Sequence, residues 1–229
     1  MLLYNNMSDS AFTNSGLYKL LLTGRQLKVR KNQIFQSTDH REALTLLTKG
    51  YVKRYSITNA GNSSIQSIYG PGDVFPLTWV FKKLLDQDLY EGQETFYYET
   101  MTDSEVCTIH DDVLIDMVNK NPQIYKDLLY VAGVRLRSNI HNLENISLQT
   151  IEKRLAHQLV YYAKYHGLKT TAGVKILIPL KQKELGSMLD ATRETVSINL
   201  KPLRDKGLIK TGTFIIVTDI KSLEEFAYS

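Results

Sequence analysis

The sequence contains little cysteine, proline or tryptophan, and it has no long apolar segment. Its 229 residues include one cysteine, Cys107, five prolines and one tryptophan. One cysteine excludes an intrachain disulfide framework, a multi-cysteine zinc site and a four-cysteine iron–sulfur cluster. No apolar run approaches the roughly 18 residues of a membrane span, and MLLYNNMSDS at the start lacks the pattern of a signal peptide. We therefore expect a cytoplasmic protein with no membrane partner.

Positive charge is concentrated in the C-terminal third. Residues 147–229 hold 13 Lys/Arg and 8 Asp/Glu, which leaves 15 Lys/Arg and 16 Asp/Glu for the first 146 residues. Such an asymmetry is expected when only one part of a chain meets a polyanion. A bias of this size also arises by chance, so charge alone leaves nucleic-acid binding open.

Residues from about 25 to 110 have the pattern of short strands, which predicts a β-sandwich or barrel. Gly61, after Asn59, suits a hairpin turn that needs a positive φ. Residues 80–92 are either a short helix or a charged loop. The predicted strands lie in the segments LTLLTKGYVKRYSI (44–57), SSIQSIYG (63–70), TFYYETM (95–101) and EVCTIH (105–110).

Two helices are predicted after residue 110. The first covers 111–121, and the second runs from about 123 to 145. Apolar residues of the second helix recur at spacings of four and three, which is typical of a coiled-coil seam. We interpret this seam as a dimer contact, with packing on its own domain as the alternative. The seam consists of Leu129, Gly133, Leu136, Ile140 and Leu143.

The remaining chain alternates helices with a few strands. IEKRLAHQLVYYAKYHG is predicted to be a helix ending at Gly167, a common C-cap residue. A strand is expected at 174–179, a short helix at 181–189, a hairpin with Gly212 at its turn over 208–218, and a last helical turn or two to the end of the chain.

The segment from Lys181 to Lys206 meets the requirements of a helix-turn-helix. Gly186 is small enough for a close helix crossing, and Asp190 tolerates the left-handed backbone that a tight turn needs. Thr192 is a suitable N-cap for the second helix. The apolar stripe of that helix is Val196, Leu200 and Leu203.

With this stripe turned inward, a polar edge is turned outward. Arg193 lies in the first turn, where recognition helices meet base edges. Arginine binds guanine O6 and N7, and glutamate accepts a hydrogen bond from cytosine N4. The alternative is a solvated ion pair on an ordinary surface helix. The residues predicted to contact DNA are Thr192, Arg193, Glu194, Ser197, Ile198 and Lys201, with Thr211 and Thr213 at the tip of the hairpin. The alternative for this hairpin is a plain structural element that does not contact DNA.

An enzyme would need a catalytic constellation, and the sequence offers none. The five histidines are scattered and form no His-x-His pair, as a cupin-like metal enzyme would show. A phosphate-binding loop and a nucleophile motif are also missing. We expect no catalysis, no cofactor and no metal.

The segment KQKELGSMLDATRETVSINLKPLRDKGLI (181–209) resembles the DNA-binding motif of the Crp/Fnr superfamily of bacterial transcription regulators. IEKRLAHQLVYYA (151–163) is similar to the helix that precedes this motif. GPGDVF (70–75) and TDSEVCTI (102–109) resemble parts of the family's sensory β-roll. The resemblance implies that Arg193 and Glu194 are a base-reading pair. Where many members carry a further arginine, this chain has Ile198, which either touches a thymine methyl or packs against a neighbour.

The sensory half departs from the members that bind cyclic nucleotides. In those members Gly-Asp-x-Phe runs on into Gly-Glu, but here Phe75 is followed by Pro76 and Leu77. The phosphate-binding Arg-Ser position falls on Glu94 and Thr95, and a carboxylate there repels an anion. A sensor of the haem type would need an axial ligand, for which His40 and His110 are candidates. We expect both to be surface or hydrogen-bonded histidines instead.

Several tyrosines flank the position of the would-be effector pocket. They either fill the roll or line a site for an aromatic ligand. The flanking tyrosines are Tyr69, Tyr90, Tyr97 and Tyr98, and the candidate pocket residues are Phe75, Leu77, Glu94, Thr95 and Tyr97.

Together these patterns predict an α+β protein: a β-roll of jelly-roll type (1–112), a dimerisation helix and hinge (113–146) and a winged helix-turn-helix (147–229). We expect a homodimer that binds near-palindromic double-stranded DNA and does not respond to cyclic AMP. RNA polymerase and an unknown small-molecule effector are candidate partners. The alternative is an effector-binding or protein-interaction module of the same fold that no longer reads DNA.

Overall fold

The computed structural model describes residues 10–37, 43–57, 61–85, 95–148 and 150–229. Packing divides the chain into two compact units. The first holds the described residues up to Arg137, apart from 62–65, and the second holds 138–229 with that short piece. Among the described residues, no helix has the length and apolar character that a membrane crossing requires.

The first unit is built on two four-stranded sheets that share a core of residues from both. This arrangement confirms the predicted β-roll. The segment predicted at 44–57 is two strands, because Gly50 makes a turn at φ 91°. One sheet has the order β1 (Arg25–Val29), β8 (Ser104–His110), β3 (Ala43–Lys49) and β6 (Val74–Phe75); the other has β2 (Ile34–Ser37), β7 (Tyr97–Thr100), β4 (Val52–Ile57) and β5 (Ser63–Tyr69).

Helices cover the sheet that contains β3 and β8. They are α1 (Ser10–Thr13), α2 (Gly16–Leu22), α3 (Leu77–Leu85), α4 (Asp111–Lys120) and the first half of α5 (Gln123–Ser147). The ambiguous segment at 80–92 is helical as far as Leu85, and residues 86–94 lie outside the described part of the chain. The buried residues shared by these helices and the sheet include Leu17, Leu21, Leu44, Leu46, Val74, Cys107, Leu114, Val118, Ile124 and Leu128.

Helix α5 has two apolar faces. One face contributes Ile124, Leu128 and Val131 to the core of the first unit. The predicted seam lies on another face, where Leu136 is 60% exposed. The two interpretations of this helix are therefore compatible: it packs on its own domain and still presents an apolar stripe to solvent. The other seam residues, Leu129, Gly133, Ile140 and Leu143, are exposed as well.

The second unit combines four helices with a small sheet. The helices are α6 (Ile151–His166), α7 (Gln182–Leu189), α8 (Arg193–Asp205) and α9 (Ile220–Tyr228); the sheet order is β11 (Ile209–Lys210), β12 (Ile216–Val217), β10 (Gly173–Ile176) and β9 (Gly167–Thr170). Helix α6 is the centre of the unit, and its Leu155, Leu159 and Tyr162 are buried.

Gly167 follows the last residue of α6, as expected, but it does not act as a left-handed cap. Its φ of −100° and ψ of 146° are extended, and the chain continues directly into β9. A Cβ at this position would overlap the carbonyl of Ala163. Glycine is required here by close packing of the backbone and not by a positive φ.

Candidate nucleic-acid interface

The turn between α7 and α8 has the geometry that its sequence predicts. Asp190 adopts the left-handed conformation with φ 50°, and the N–H of Ala191 donates to the carbonyl of Gly186 at 3.0 Å. A Cβ on Gly186 would lie 2.5 Å from the carbonyl oxygen of Ala191. The glycine therefore makes room for the backbone of the turn, and not for a helix crossing as its small size suggested.

Helix α8 is anchored on one side and exposed on the other. Its N-cap hydroxyl, on Thr192, accepts a hydrogen bond from the N–H of Thr195 at 3.1 Å. Val196, Leu200 and Leu203 are buried, as the 3.6-residue period predicts. The cap and the apolar stripe together fix the axis and the rotation of the helix.

Loss of the cap is expected to destabilise the protein without touching its core. Thr192→Ala removes one acceptor from the exposed N–H groups of α8, and such a change costs about 1 kcal/mol of unfolding free energy. Urea unfolding in the absence of DNA measures this loss. Thr213→Ala, on the exposed wing tip, is the matched control and should change the unfolding free energy by less than about 0.5 kcal/mol. Equal values for the two variants would show that the cap contributes nothing.

The outward edge of α8 is formed by the residues that the sequence selected. Arg193, Glu194 and Lys201 are exposed, and Ile198 is 70% exposed. The alternative in which Ile198 packs against a neighbour is therefore wrong within this chain.

Ser197 is less accessible than the other residues of this edge. Its hydroxyl lies 3.5 Å from the side-chain nitrogen of Gln182, at the start of α7, and it is half-buried. Gln182 adds an amide to the same surface, and it was not among the residues predicted to contact DNA. Its sign in the sequence is its place at the first position of α7, the helix that supports α8.

The predicted wing is a short hairpin of β11 and β12. Thr211, Gly212 and Thr213 lie at its tip and are exposed. The hydroxyl of Thr218, at the base of the hairpin, lies 2.6 Å from the carbonyl oxygen of Gly207 at the end of α8. This contact joins the wing to the end of the exposed helix, so that both belong to one surface.

In the first unit, aromatic side chains fill the middle of the roll. The rings of Phe75 and Tyr98 stack at 4.9 Å, and Tyr69 lies 4.4 Å from Phe75. Of the candidate pocket residues, Phe75 and Leu77 are buried, Thr95 and Tyr97 are half-buried, and Glu94 lies outside the described residues. Tyr90 and His40 lie outside them too, and His110 is exposed. The packing of Tyr69 and Tyr98 is that of core residues.

An ionic contact connects this aromatic core to α5. The carboxylate of Asp73 accepts a hydrogen bond from the N–H of Gly70 at 2.6 Å and lies 3.8 Å from the guanidinium of Arg135. That guanidinium also covers the ring of Tyr69 at 4.2 Å. Burial raises the pKa of Asp73, while Arg135 and the Gly70 N–H act in the opposite direction. Arg135 could not be selected from the sequence, because its position in the helix gives no sign of a partner 62 residues earlier.

Comparison with known proteins places this surface in a family. A Crp-like helix-turn-helix domain model matches residues 153–226. Over 195 residues, 85% of this chain and 84% of the relative, the chain is 25% identical to a CRP-like cAMP-activated global transcriptional regulator of Mycobacterium tuberculosis. It is 26% identical to the probable transcriptional regulator flp of Lacticaseibacillus casei, over 99% of this chain and 95% of the relative. Residues 153–226 therefore carry a Crp-like helix-turn-helix domain, and nearly the whole chain is similar to named transcription regulators.

The Crp/Fnr fold extends over the whole chain. A solved structure of a CooA mutant from Carboxydothermus hydrogenoformans matches 99% of this chain and 98% of its own, with a TM-score of 0.73 and 21% identity. This likeness confirms the predicted order of β-roll, long helix and winged helix-turn-helix. The relatives carry the names of transcription regulators, and the second unit carries the DNA-binding domain of the Crp/Fnr type.

Proposed function

We propose that this Crp/Fnr regulator acts as a homodimer that reads a near-palindromic DNA site through the outward edge of α8. The observation that carries the proposal is the state of this edge. Helix α8 is capped by Thr192 and held by three buried residues, while Arg193, Glu194, Ile198 and Lys201 of its outward edge are exposed, Ile198 by 70%. Helices with these properties enter the major groove in helix-turn-helix proteins.

Each residue of the edge has a chemical role in this proposal. Arg193 grips guanine through O6 and N7, and Glu194 accepts from cytosine N4. Ile198 touches a thymine methyl group, so site preference differs from that of members with arginine there. Ser197 adds a hydroxyl near the base edges. Thr192, Lys201, Thr211 and Thr213 contact phosphates, which position the protein without reading sequence.

Dimerisation follows from the exposed stripe on α5. The seam residues from Leu129 to Leu143 present an unpaired apolar row, and such a row is buried when two copies pair in a coiled coil. Two copies paired in this way present their recognition helices about 34 Å apart, one turn of DNA. This proposal keeps the domain boundaries predicted from the sequence, which separate the β-roll from the dimerisation helix at 112/113 and that helix from the winged helix-turn-helix at 146/147.

The first unit is proposed to be insensitive to cyclic AMP, although the Mycobacterium tuberculosis relative is named as cAMP-activated. Pro76 and Leu77 stand where the members that bind cyclic nucleotides have Gly-Glu, whose glutamate holds the ribose. Glu94 and Thr95 stand where those members have the Arg-Ser pair that binds the phosphate. The rings of Phe75 and Tyr98 already stack with each other. We further propose that the first unit binds a different effector or none and that the protein contacts RNA polymerase. We also propose that it is cytoplasmic and catalyses no reaction.

Selection of DNA from a random library tests the proposed function. The full chain should enrich a near-palindrome whose half-sites are centred about 10 base pairs apart. Cyclic AMP added to a parallel selection should change neither the enriched sequence nor the affinity. Enrichment of no sequence would favour the module that no longer reads DNA. A shift in affinity with cyclic AMP would contradict the assignment of the first unit.

A further inference from the structure

Two histidines and a glutamate meet where the end of α5 lies beside α6, within the second unit. His141 and Glu144 are three positions apart on α5, which places them on one face of the helix, and His157 is on α6. Ligand atoms of the three side chains all lie within 4.8 Å of one another. The histidine rings stack almost parallel, with their centroids 4.1 Å apart and an interplanar angle of 11°.

One nitrogen of this cluster is buried without a hydrogen bond. Among the described residues, His141 Nε2 has no hydrogen-bond partner. A buried polar atom without a partner costs free energy and needs an explanation, of which a bound ion is one.

We propose that His141, Glu144 and His157 bind a divalent transition-metal ion of the Zn²⁺ type. Two imidazoles and one carboxylate are a frequent set of three protein ligands for zinc. Zinc bound in a tetrahedron holds its ligand atoms about 3.3 Å apart, so the cluster must contract by up to about 1.5 Å. A metal lies in the plane of each imidazole that binds it, so one of the two stacked rings must also turn on binding. Glu144 is exposed, and its carboxylate makes part of the remaining movement.

The charges and contacts around the cluster suit a cation. Burial lowers the pKa of His141 to about 3, and burial also lowers the pKa of His157. Lys164 is the opposing positive charge, and it is paired with Glu224.

His157 already has a contact at each nitrogen, and a metal would exchange one of them. Its Nδ1 lies 3.2 Å from the Asn145 side-chain nitrogen, and its Nε2 lies 2.8 Å from the hydroxyl of Tyr228. The metal would then join the last turns of α5 to α6. Such a site lies outside the β-roll, so it gives no support to a cupin-like enzyme.

Metal titration of the untagged full chain tests this site. The protein is stripped with a chelator, dialysed, and titrated with Co²⁺, whose visible absorption reports tetrahedral coordination, and then with competing Zn²⁺. We expect one metal per chain and a rise in the unfolding midpoint with Zn²⁺. His141→Asn and Glu144→Gln should each weaken Zn²⁺ binding by about tenfold or more.

His110→Asn is the matched control, because His110 is an exposed histidine outside the cluster; it should bind Zn²⁺ as the unaltered chain does. Glu144→Gln keeps the test valid if the change at His141 perturbs folding, since Glu144 is exposed. Absence of a tetrahedral Co²⁺ spectrum, or equal Zn²⁺ affinity for all the variants, would overturn the proposal.

Discussion

Leu136→Glu should convert the regulator from a dimer to a monomer and lower its affinity for a full palindrome by about 100-fold or more. Leu136 is 60% exposed in the single chain and lies at the middle of the seam. A charge buried between two helices without a partner costs several kcal/mol. Sedimentation measures the loss of the dimer, and fluorescence anisotropy measures the affinity for the palindrome and for one half-site.

The control for this prediction is the same kind of substitution, from an apolar residue to glutamate, at an exposed position outside the seam. Val113, on α4, is 51% exposed, so Val113→Glu adds the same charge to another exposed apolar position. It should remain dimeric and bind the palindrome normally. A dimeric Leu136→Glu protein would show that the exposed face of α5 is not the dimer contact.

Arg193→Ala should remove the preference for one G·C pair in each half-site, at a cost of about 1–3 kcal/mol per half-site. Arg193 is exposed in the first turn of α8, where its guanidinium can reach a base edge. Affinity for the selected site and for the same site with that pair changed gives the preference directly.

Arg193→Lys distinguishes base reading from a phosphate contact. Lysine keeps the positive charge but lacks the planar fork that binds guanine through two hydrogen bonds. We expect Arg193→Lys to keep the salt dependence of binding and to lose most of the preference. If it behaves like the unaltered protein at every base pair, Arg193 contacts only the backbone.

The helix-turn-helix could be predicted because its geometry is set by local chemistry. Asp190 accepts a left-handed φ, Thr192 caps the next helix, and Gly207 ends it at φ 69°. Each of these requirements is met within a few residues of the chain. The buried stripe from Val196 to Leu203 then follows from the helical period alone.

Other elements depend on distant partners and could not be predicted in this way. Strand β9 has an unremarkable sequence, GLKT, and is a strand because Leu168 and Lys169 pair with β10. Helix α2 is short, and it is held by Leu17 and Leu21 in the core of the first unit. The contacts of Arg135 with Asp73 likewise appear only when the chain is folded.

The candidate metal cluster could not be predicted from the sequence for the same reason. His141 and Glu144 are neighbours on one helix, but His157 belongs to the next helix. In the sequence the five histidines look scattered, and they have no spacing typical of a metal site. Only the packing of α5 on α6 brings these ligands together.

Glu194→Ala tests most directly whether the outward edge of α8 lies in the major groove. Its affinity is measured on the selected palindrome and on every single-base-pair variant of it, beside the unaltered protein. We predict that the variant loses discrimination at one base pair per half-site, by about 1–3 kcal/mol, and keeps it elsewhere. An equal loss of affinity on all sequences would contradict the account.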